Sequence, residues 1–197
     1  MSCSDKIDSL IAENNGYLFS DKAVQSGITR FSISEYVKRN EMERVANGVY
    51  ITSDTWPDYY YILATKNGGI VYSHESALYL HGLAEREPVS RTVTVKFGYN
   101  AVHLKKQGVS VKTVIDKYYD IGISSAETIF GNTVPVYDKE RTVCDIIRNK
   151  DNMDIQVFSY AIKQYMKSRD KNLPKLSKYA RLFGISDKIR TYTEVML

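Results

Sequence analysis

The stretch that most constrains the fold is Gly16–Thr52, where two short helical segments are followed directly by a tight hairpin. Ser20 is placed to cap the first of these helices. Gly27 is placed to end it, because glycine reaches positive φ without a steric penalty. Asn47-Gly48 lies between β-forming residues, which predicts a type I′ hairpin. A helix, a turn, a second helix and a hairpin in this order are typical of a winged helix-turn-helix.

The second helix of this stretch has a capping-box pattern and two distinct faces. The Ser32 hydroxyl and the Glu35 carboxylate are spaced to satisfy each other's backbone N–H groups, which predicts a helix start at Ser32. Three apolar residues at positions i, i+3 and i+4 form a stripe for the core: Ile33, Tyr36 and Val37. The opposite face is polar, as in a recognition helix that enters the DNA major groove.

The rest of the chain predicts one preceding helix and a second, mixed domain. Ser4–Asn15 has the pattern of a helix that braces the winged module, so this module is predicted over residues 1–52. The second domain, 53–197, is predicted to contain a small mixed sheet with several helices, which makes the whole chain α+β. Its predicted strands are 70–72, 91–97, 109–115, 118–123 and 133–137, and its predicted helices are 57–67, 74–81, 138–149, 154–169, 174–183 and a helix or strand over 188–197.

Charge is distributed unevenly along the chain. The net charge is +4, yet residues 1–50 carry 6 basic and 7 acidic side chains, so the winged module is not basic overall. Its affinity for DNA would therefore depend on a few phosphate contacts. Residues 151–197 hold 9 basic and 5 acidic side chains, which indicates either solvated helix faces or a surface for an anionic partner.

The predicted DNA-binding residues are those at the start and on the outer face of the recognition helix, together with the wing. Phosphate contacts position such a protein, whereas contacts to base edges specify the sequence. The full set is Lys22, Thr29, Arg30, Ser32, Ser34, Lys38, Arg39, Arg44 and Asn47.

Sequence motifs for catalysis or cofactor binding are not found. His74 and His81 are seven residues apart, which does not match the i, i+4 spacing of a zinc-binding HExxH helix. The chain has no GxSxG elbow, Walker loop or GxGxxG motif. We interpret the Ser125–Glu127 and Asp138–Arg141 clusters as ordinary caps and solvated faces. We therefore expect no enzymatic activity, no metal and no cofactor.

Two segments of the second domain resemble the AbiEi-type antitoxins. The first is Tyr72–Ala84, YSHESALYLHGLA, and the second is Glu140–Arg148, ERTVCDIIR. Both follow a winged helix at the N-terminus, as in that family, and the resemblance covers nearly the whole chain.

This resemblance implies an antitoxin of a bacterial type IV toxin–antitoxin system directed against phage. The winged helix would bind inverted repeats in the operon's own promoter and repress it. The second domain would counteract a nucleotidyltransferase-like toxin without forming a stable complex with it. Ser73, His74, Glu75 and His81 match the family signature and are candidates for antitoxin activity, although each is also a plausible cap or packing residue.

Other functions stay open at this point. One alternative is a plain winged-helix regulator whose second domain binds a ligand or a partner. Another is a nucleic-acid-processing enzyme, but its metal cluster is missing from the sequence. The N-terminal MSCSDKIDSL has no basic segment before an apolar core, and Cys3 and Cys144 lack CxxC spacing, so a cytoplasmic protein is expected. Without a heptad zipper, we expect a monomer that binds DNA cooperatively.

Overall fold

The computed structural model describes residues 2–194 and has the predicted α+β architecture. The chain divides into two compact units between Ile62 and Leu63, later than the boundary that the sequence predicted after Thr52. The reason is that the segment after the hairpin packs onto the first unit. The Tyr17 hydroxyl donates to the Trp56 carbonyl at 2.6 Å and accepts from the Asp58 N–H at 3.0 Å.

The first unit has the element order of a winged helix-turn-helix. Its sheet is antiparallel, in the order β1-β3-β2, so β3 lies between the other two strands. The strand β1 did not emerge from the sequence, and it completes the sheet beside the predicted hairpin. The elements are α1 (Cys3–Glu13), β1 (Tyr17–Phe19), α2 (Ser20–Gln25), α3 (Arg30–Arg39), β2 (Glu43–Ala46) and β3 (Val49–Ile51).

A small hydrophobic core holds the three helices of this unit together. Ile7 and Ile11 of α1 meet Ile33 and Tyr36 of α3, and all four side chains are buried, which confirms the predicted apolar faces. The Tyr36 hydroxyl also donates a hydrogen bond to Asp8. Burial, together with this bond, raises the pKa of Tyr36 to about 12. The helix α3 is thus fixed to α1 through one face only.

The predicted starts of α2 and α3 are wrong. The strand β1 runs directly into α2, so Ser20 is the first residue of the helix rather than its cap. The Ser20 N–H donates to the Gly48 carbonyl at 2.8 Å. The helix α3 starts at Arg30, with Thr29 as the capping residue in place of Ser32.

The earlier start of α3 has a physical reason in the core. Ile28 precedes the cap and Ile33 lies in the first turn, and both belong to the same buried cluster. Such a hydrophobic staple fixes the angle at which the chain enters the helix, and it selects Thr29 as the cap.

The second unit is built on a five-stranded mixed sheet in the order β6-β5-β4-β8-β7. Strands β4 and β8, and β5 and β6, pair in parallel, whereas β4 with β5 and β7 with β8 are antiparallel. The helix α4 (Tyr59–Lys66) leads into this unit. The further elements are β4 (Val71–Tyr72), α5 (His74–Leu80), β5 (Thr92–Lys96), α6 (Val102–Lys106), β6 (Ser110–Val114), α7 (Asp116–Tyr119), β7 (Ile123–Glu127), β8 (Thr133–Tyr137), α8 (Lys139–Arg148), α9 (Ile155–Lys167), α10 (Leu173–Leu182) and α11 (Ser186–Glu194).

Several predicted bounds of the second unit need correction. The predicted strand 118–123 is instead the end of α7 followed by a turn, because Tyr119 is buried beside Val71 and Tyr137 rather than alternating along a sheet. The helix α4 begins at Tyr59 rather than at Pro57, since the Asp58 carboxylate caps it. The helix α6 was not predicted. Residues 195–197 of the predicted tail lie outside the described residues.

Candidate functional site

The outward face of α3 is the strongest candidate for a binding site. Phe31, Ser34, Glu35 and Lys38 are spaced at i, i+3, i+4 and i+7, so they lie on one face of the helix, and all four are exposed. Arg30 is exposed at the first position of the same helix. The buried residues Ile33 and Tyr36 occupy the opposite face, so the exposed residues are held rigidly by the core.

Most of these side chains have no hydrogen bond or ion pair to any residue that the structure describes. This applies to Arg30, Ser34, Glu35 and Lys38, which are exposed, so their polar groups are available to a ligand. Two cations and one carboxylate beside a hydroxyl provide the donors and acceptors needed for phosphates and base edges.

Other predicted contact residues of α3 already have partners within the unit. The Thr29 hydroxyl accepts from the Ser32 N–H at 3.1 Å and lies 2.9 Å from the Ser32 hydroxyl. The Arg39 guanidinium donates to the Ser4 hydroxyl at 3.0 Å and stacks 5.6 Å from the centre of the Tyr36 ring. These residues secure the helix start and the contact with α1.

Lys22 lies in α2 and is half-buried. Its ammonium donates to the Asn14 side-chain oxygen at 2.7 Å and lies 5.1 Å from the centre of the Phe19 ring. The structure therefore gives this residue a role in bracing α1 and β1 against α2, and it is less available for DNA than the sequence suggested.

The wing is braced by the two residues predicted to contact DNA from it. The Arg44 guanidinium donates to the Asn47 side-chain oxygen at 3.0 Å across the hairpin, and Gly48 has a positive φ of +68°. Both Arg44 and Asn47 are exposed. The predicted hairpin is confirmed, but its turn is not of type I′, because that type needs positive φ at both central residues and Asn47 does not have it. The register between Arg44 and Ala46 is irregular.

Sequence reasoning missed Phe31, the most exposed aromatic residue of the α3 face. Its relative exposure is 75%. The signal was present in the sequence, because Phe31 precedes Ser34 and Glu35 by one helical turn. It went unnoticed because the helix was predicted to start one residue after it.

In the second unit, Ser73 and His74 lie where β4 passes into α5. The Ser73 hydroxyl accepts a hydrogen bond from the Thr94 hydroxyl at 2.9 Å, and it lies 3.1 Å from Nδ1 of His74. Ser73 occupies the cap position of α5, but its side chain makes no capping bond, contrary to the prediction. Both residues are buried, and Ser73 fastens the start of α5 to Thr94 of β5.

His74 has an unusual backbone and an unusual titration. Its φ of +49° is in the left-handed region, which is rare for a residue with a side chain. Burial, with a smaller contribution from the charges of Lys112, Arg141 and Arg148, lowers the pKa of His74 to about 3. His74 is therefore a neutral, structurally constrained histidine.

Glu75 and His81 connect the same helix to two strands of the sheet. The Glu75 carboxylate accepts from the Thr92 hydroxyl at 3.2 Å. The His81 ring lies 2.7 Å from the Tyr137 carbonyl through Nε2, which must carry the proton because a carbonyl only accepts. Burial lowers the pKa of His81, against the opposing effect of this bond. The four signature residues thus share contacts with the sheet and do not converge on one cavity.

The segment 138–141 is the clearest error of the sequence interpretation, since Arg141 is completely buried rather than solvated. Its guanidinium donates to Asp145 at 2.9 Å and to the carbonyls of Tyr118 and Ile121 at 2.7 and 2.9 Å. The rings of Tyr137 and Phe183 lie 4.2 and 4.6 Å from it. Burial raises the pKa of Asp145, and the charge of Arg141 opposes that rise.

The other members of that segment are also structural. Asp138 caps α8 by accepting from the Arg141 N–H at 2.8 Å, and it pairs with Lys175 at 2.8 Å. Glu140 is buried and accepts from the Tyr165 hydroxyl at 3.0 Å. The Ser125–Glu127 segment lies in the edge strand β7 and caps nothing. Lys175 is therefore part of the fold rather than of a free basic surface.

A groove of about 350 Å³ lies in the second unit between the loop after α5 and the start of α9. Its walls include the acidic residues Glu75 and Asp154 and the apolar residues Val89, Val157 and Tyr160. Among the described residues, no group of three or more His, Cys, Asp or Glu side chains is placed to hold a metal ion. Within the same residues, no helix has both the length and the apolar composition of a membrane span.

Comparison with known proteins gives a likeness of fold. The crystal structure of the RV2827C protein from Mycobacterium tuberculosis matches 94% of this chain and 76% of that chain, with a TM-score of 0.58 and 13% sequence identity. At this identity the likeness concerns the fold alone. No protein-family model matches the sequence, and no curated protein does either.

Proposed function

We propose that this protein is an AbiEi-type antitoxin that represses its own operon and counteracts a nucleotidyltransferase-like toxin in the bacterial cytoplasm. The first unit binds inverted repeats in double-stranded promoter DNA. The second unit relieves toxicity without catalysis and without a stable complex with the toxin. The protein is a monomer that binds neighbouring repeats cooperatively.

The observation that carries the DNA-binding half is the outward face of α3. Arg30 and Lys38 supply cations that form no ion pair with any residue that the structure describes, and Ser34 and Glu35 supply a hydroxyl and a carboxylate between them. In a helix-turn-helix, the N-terminal part of the recognition helix contacts base edges in the major groove. The wing, pinned by Arg44 and Asn47, is the second element that would reach the phosphates.

The antitoxin half rests on the two signature segments of the second unit. Their residues form a network of contacts: Ser73 joins the start of α5 to β5 and contacts His74, His81 joins α5 to β8, and Arg141 joins α8 to the turn after α7. A network of this kind preserves the shape of a domain. We infer that antitoxin activity depends on the surface that this network supports rather than on the signature side chains themselves.

A second candidate function is a winged-helix regulator that senses a ligand. The groove beside Glu75 favours it, since its volume is at the small end of the range for small-molecule sites. The gene next to this one separates the two functions, because an antitoxin requires a nucleotidyltransferase-like neighbour and a ligand sensor does not.

The proposal is tested in cells that carry two assays. A reporter behind the DNA upstream of this protein's gene measures repression, and co-expression of the neighbouring gene measures rescue of growth. The Arg30→Ala/Lys38→Ala variant is expected to lose repression and retain rescue. The matched control, Lys163→Ala/Lys167→Ala, removes two exposed cations of α9 and is expected to retain both. Loss of neither activity in the first variant would contradict the assignment of α3, and absence of rescue by the natural protein would contradict the antitoxin function.

A further inference from the structure

Phe31 is an exposed aromatic residue without a structural role in its own unit. Three-quarters of its surface is accessible, and it belongs to none of the hydrophobic clusters or ring contacts among the described residues. A phenylalanine in water does not gain the favourable burial of its large apolar surface, and this one lies on a helix that the core holds in place.

Its position is that of a base-reading residue. Phe31 is the second residue of α3, within the first turn, and it lies at the centre of the exposed face. The residues that follow it on this face are Ser34, Glu35 and Lys38, all polar. The apolar surface is therefore one ring wide, which does not match the broad apolar patch of a protein–protein interface.

The major groove offers one apolar group to such a ring. Among the four base pairs, only those with thymine expose a methyl group there, on C5 of the base. Phosphates and the other base edges present charges, donors and acceptors, which the neighbouring cations, hydroxyl and carboxylate would match. A phenyl ring inserted between base steps is instead a device of minor-groove binders, which use other elements than a recognition helix.

We propose that Phe31 contacts the 5-methyl group of a thymine in each half-site and thereby specifies that base. This inference rests on the proposed DNA binding of the first unit. On this proposal, Phe31 is the one apolar side chain that contacts a base, beside the polar residues of the same face. The proposal predicts a thymine at the position that faces the first turn of α3. Removal of the methyl group should weaken binding about fourfold, since burying one such carbon contributes on the order of a factor of four to affinity.

The test begins with selection of bound duplexes from a library with a random 20-base-pair centre, using the full chain. Each thymine of the selected duplex is then replaced in turn by deoxyuridine, which lacks only the methyl group. We expect one position per half-site at which the natural protein loses about fourfold in affinity. The Phe31→Ala variant should bind the thymine and deoxyuridine duplexes equally. The Lys163→Ala/Lys167→Ala variant, changed in the second unit, should retain the fourfold difference.

The outcomes separate the inference from the proposal beneath it. Since Phe31 is exposed, its replacement should leave the melting temperature unchanged, and this serves as the check on folding. If no duplex is enriched, sequence-specific DNA binding fails, and the role of Phe31 fails with it. If a duplex is enriched but deoxyuridine has no effect, or has the same effect in Phe31→Ala, DNA binding stands and the thymine contact is overturned.

Discussion

The outward face of α3 and the start of α5 use the same residue types in opposite ways. On α3, Ser34, Glu35 and Lys38 lie on a supported helix with no polar partner among the described residues. At α5, Ser73 and His74 are buried, and Ser73 is bonded both to Thr94 of the neighbouring strand and to the His74 ring. A polar side chain with a satisfied partner stabilises its fold, whereas one held outward without a partner is available to a ligand. The difference separates the candidate DNA-binding surface from the scaffold of the second unit.

The largest loss of stability is expected from replacing Arg141, the most extensively bonded side chain of the second-unit scaffold. Arg141→Ala should lower the free energy of unfolding by about 3–5 kcal/mol, because it leaves Asp145 buried without its main partner and two carbonyls without a donor. Urea denaturation of both proteins measures this difference in the free energy of unfolding. Arg148 pairs with Asp145 from a partly exposed position, so Arg148→Ala should cost less than about 1 kcal/mol. Equal effects of the two variants would mean that the buried network does not hold this unit together.

The tight turn against Arg141 should give the next largest effect. Gly122 has a φ of +80°, and an added Cβ would lie 2.8 Å from Cβ of Arg141. Gly122→Ala therefore combines backbone strain with overpacking and should cost about 3 kcal/mol. Gly108 has a similar φ of +76° but open space around it, so Gly108→Ala isolates the strain and should cost about 1–2 kcal/mol. The melting temperatures of the two variants measure the difference, and equal decreases in melting temperature would contradict the packing of Arg141 against this turn.

His74 should make stability depend on pH. Its pKa is about 3 in the folded protein and near 6.5 in the unfolded chain, so the unfolded chain takes up the proton first as the pH falls. The stabilisation is complete above pH 6.5 and is lost between pH 6.5 and 3. From pH 7 to pH 5 the natural protein should lose about 2 kcal/mol more than His74→Gln, a variant that cannot titrate there. Parallel pH profiles would show that His74 is accessible to protons in the folded state.

The fold was predictable from the sequence wherever a local signal and the core agreed. The Asn47-Gly48 turn fixed the hairpin, and the spacing of Ile33 and Tyr36 fixed the buried face of α3. Helix starts were less predictable, because Thr29 and Ser32 both have capping side chains and the packing of Ile28 on Ile33 decides between them. The strand β1 is three residues long and forms only through its pairing with β3.

For a related reason, only part of the candidate site could be predicted from the sequence. Spacing alone identifies which residues of α3 face outward, but it does not reveal that Lys22 is bonded to Asn14 or Arg39 to Ser4, since those partners are distant in sequence. Arg141 shows the same limit, because a charged residue in a polar segment looks solvated until its carbonyl partners in α7 and in the turn after it are known. Contacts between distant segments decide these cases.

The most direct test of the central claim measures the salt dependence of DNA binding. Fluorescence anisotropy of the full chain on DNA from upstream of its own gene should show affinity that falls linearly on a log–log plot against salt. Arg30→Ala/Lys38→Ala should bind about tenfold more weakly at low salt, with a slope reduced by about 1–2, while Lys163→Ala/Lys167→Ala should match the natural protein. Identical slopes for all three proteins would contradict the claim that the outward face of α3 is the DNA-binding surface.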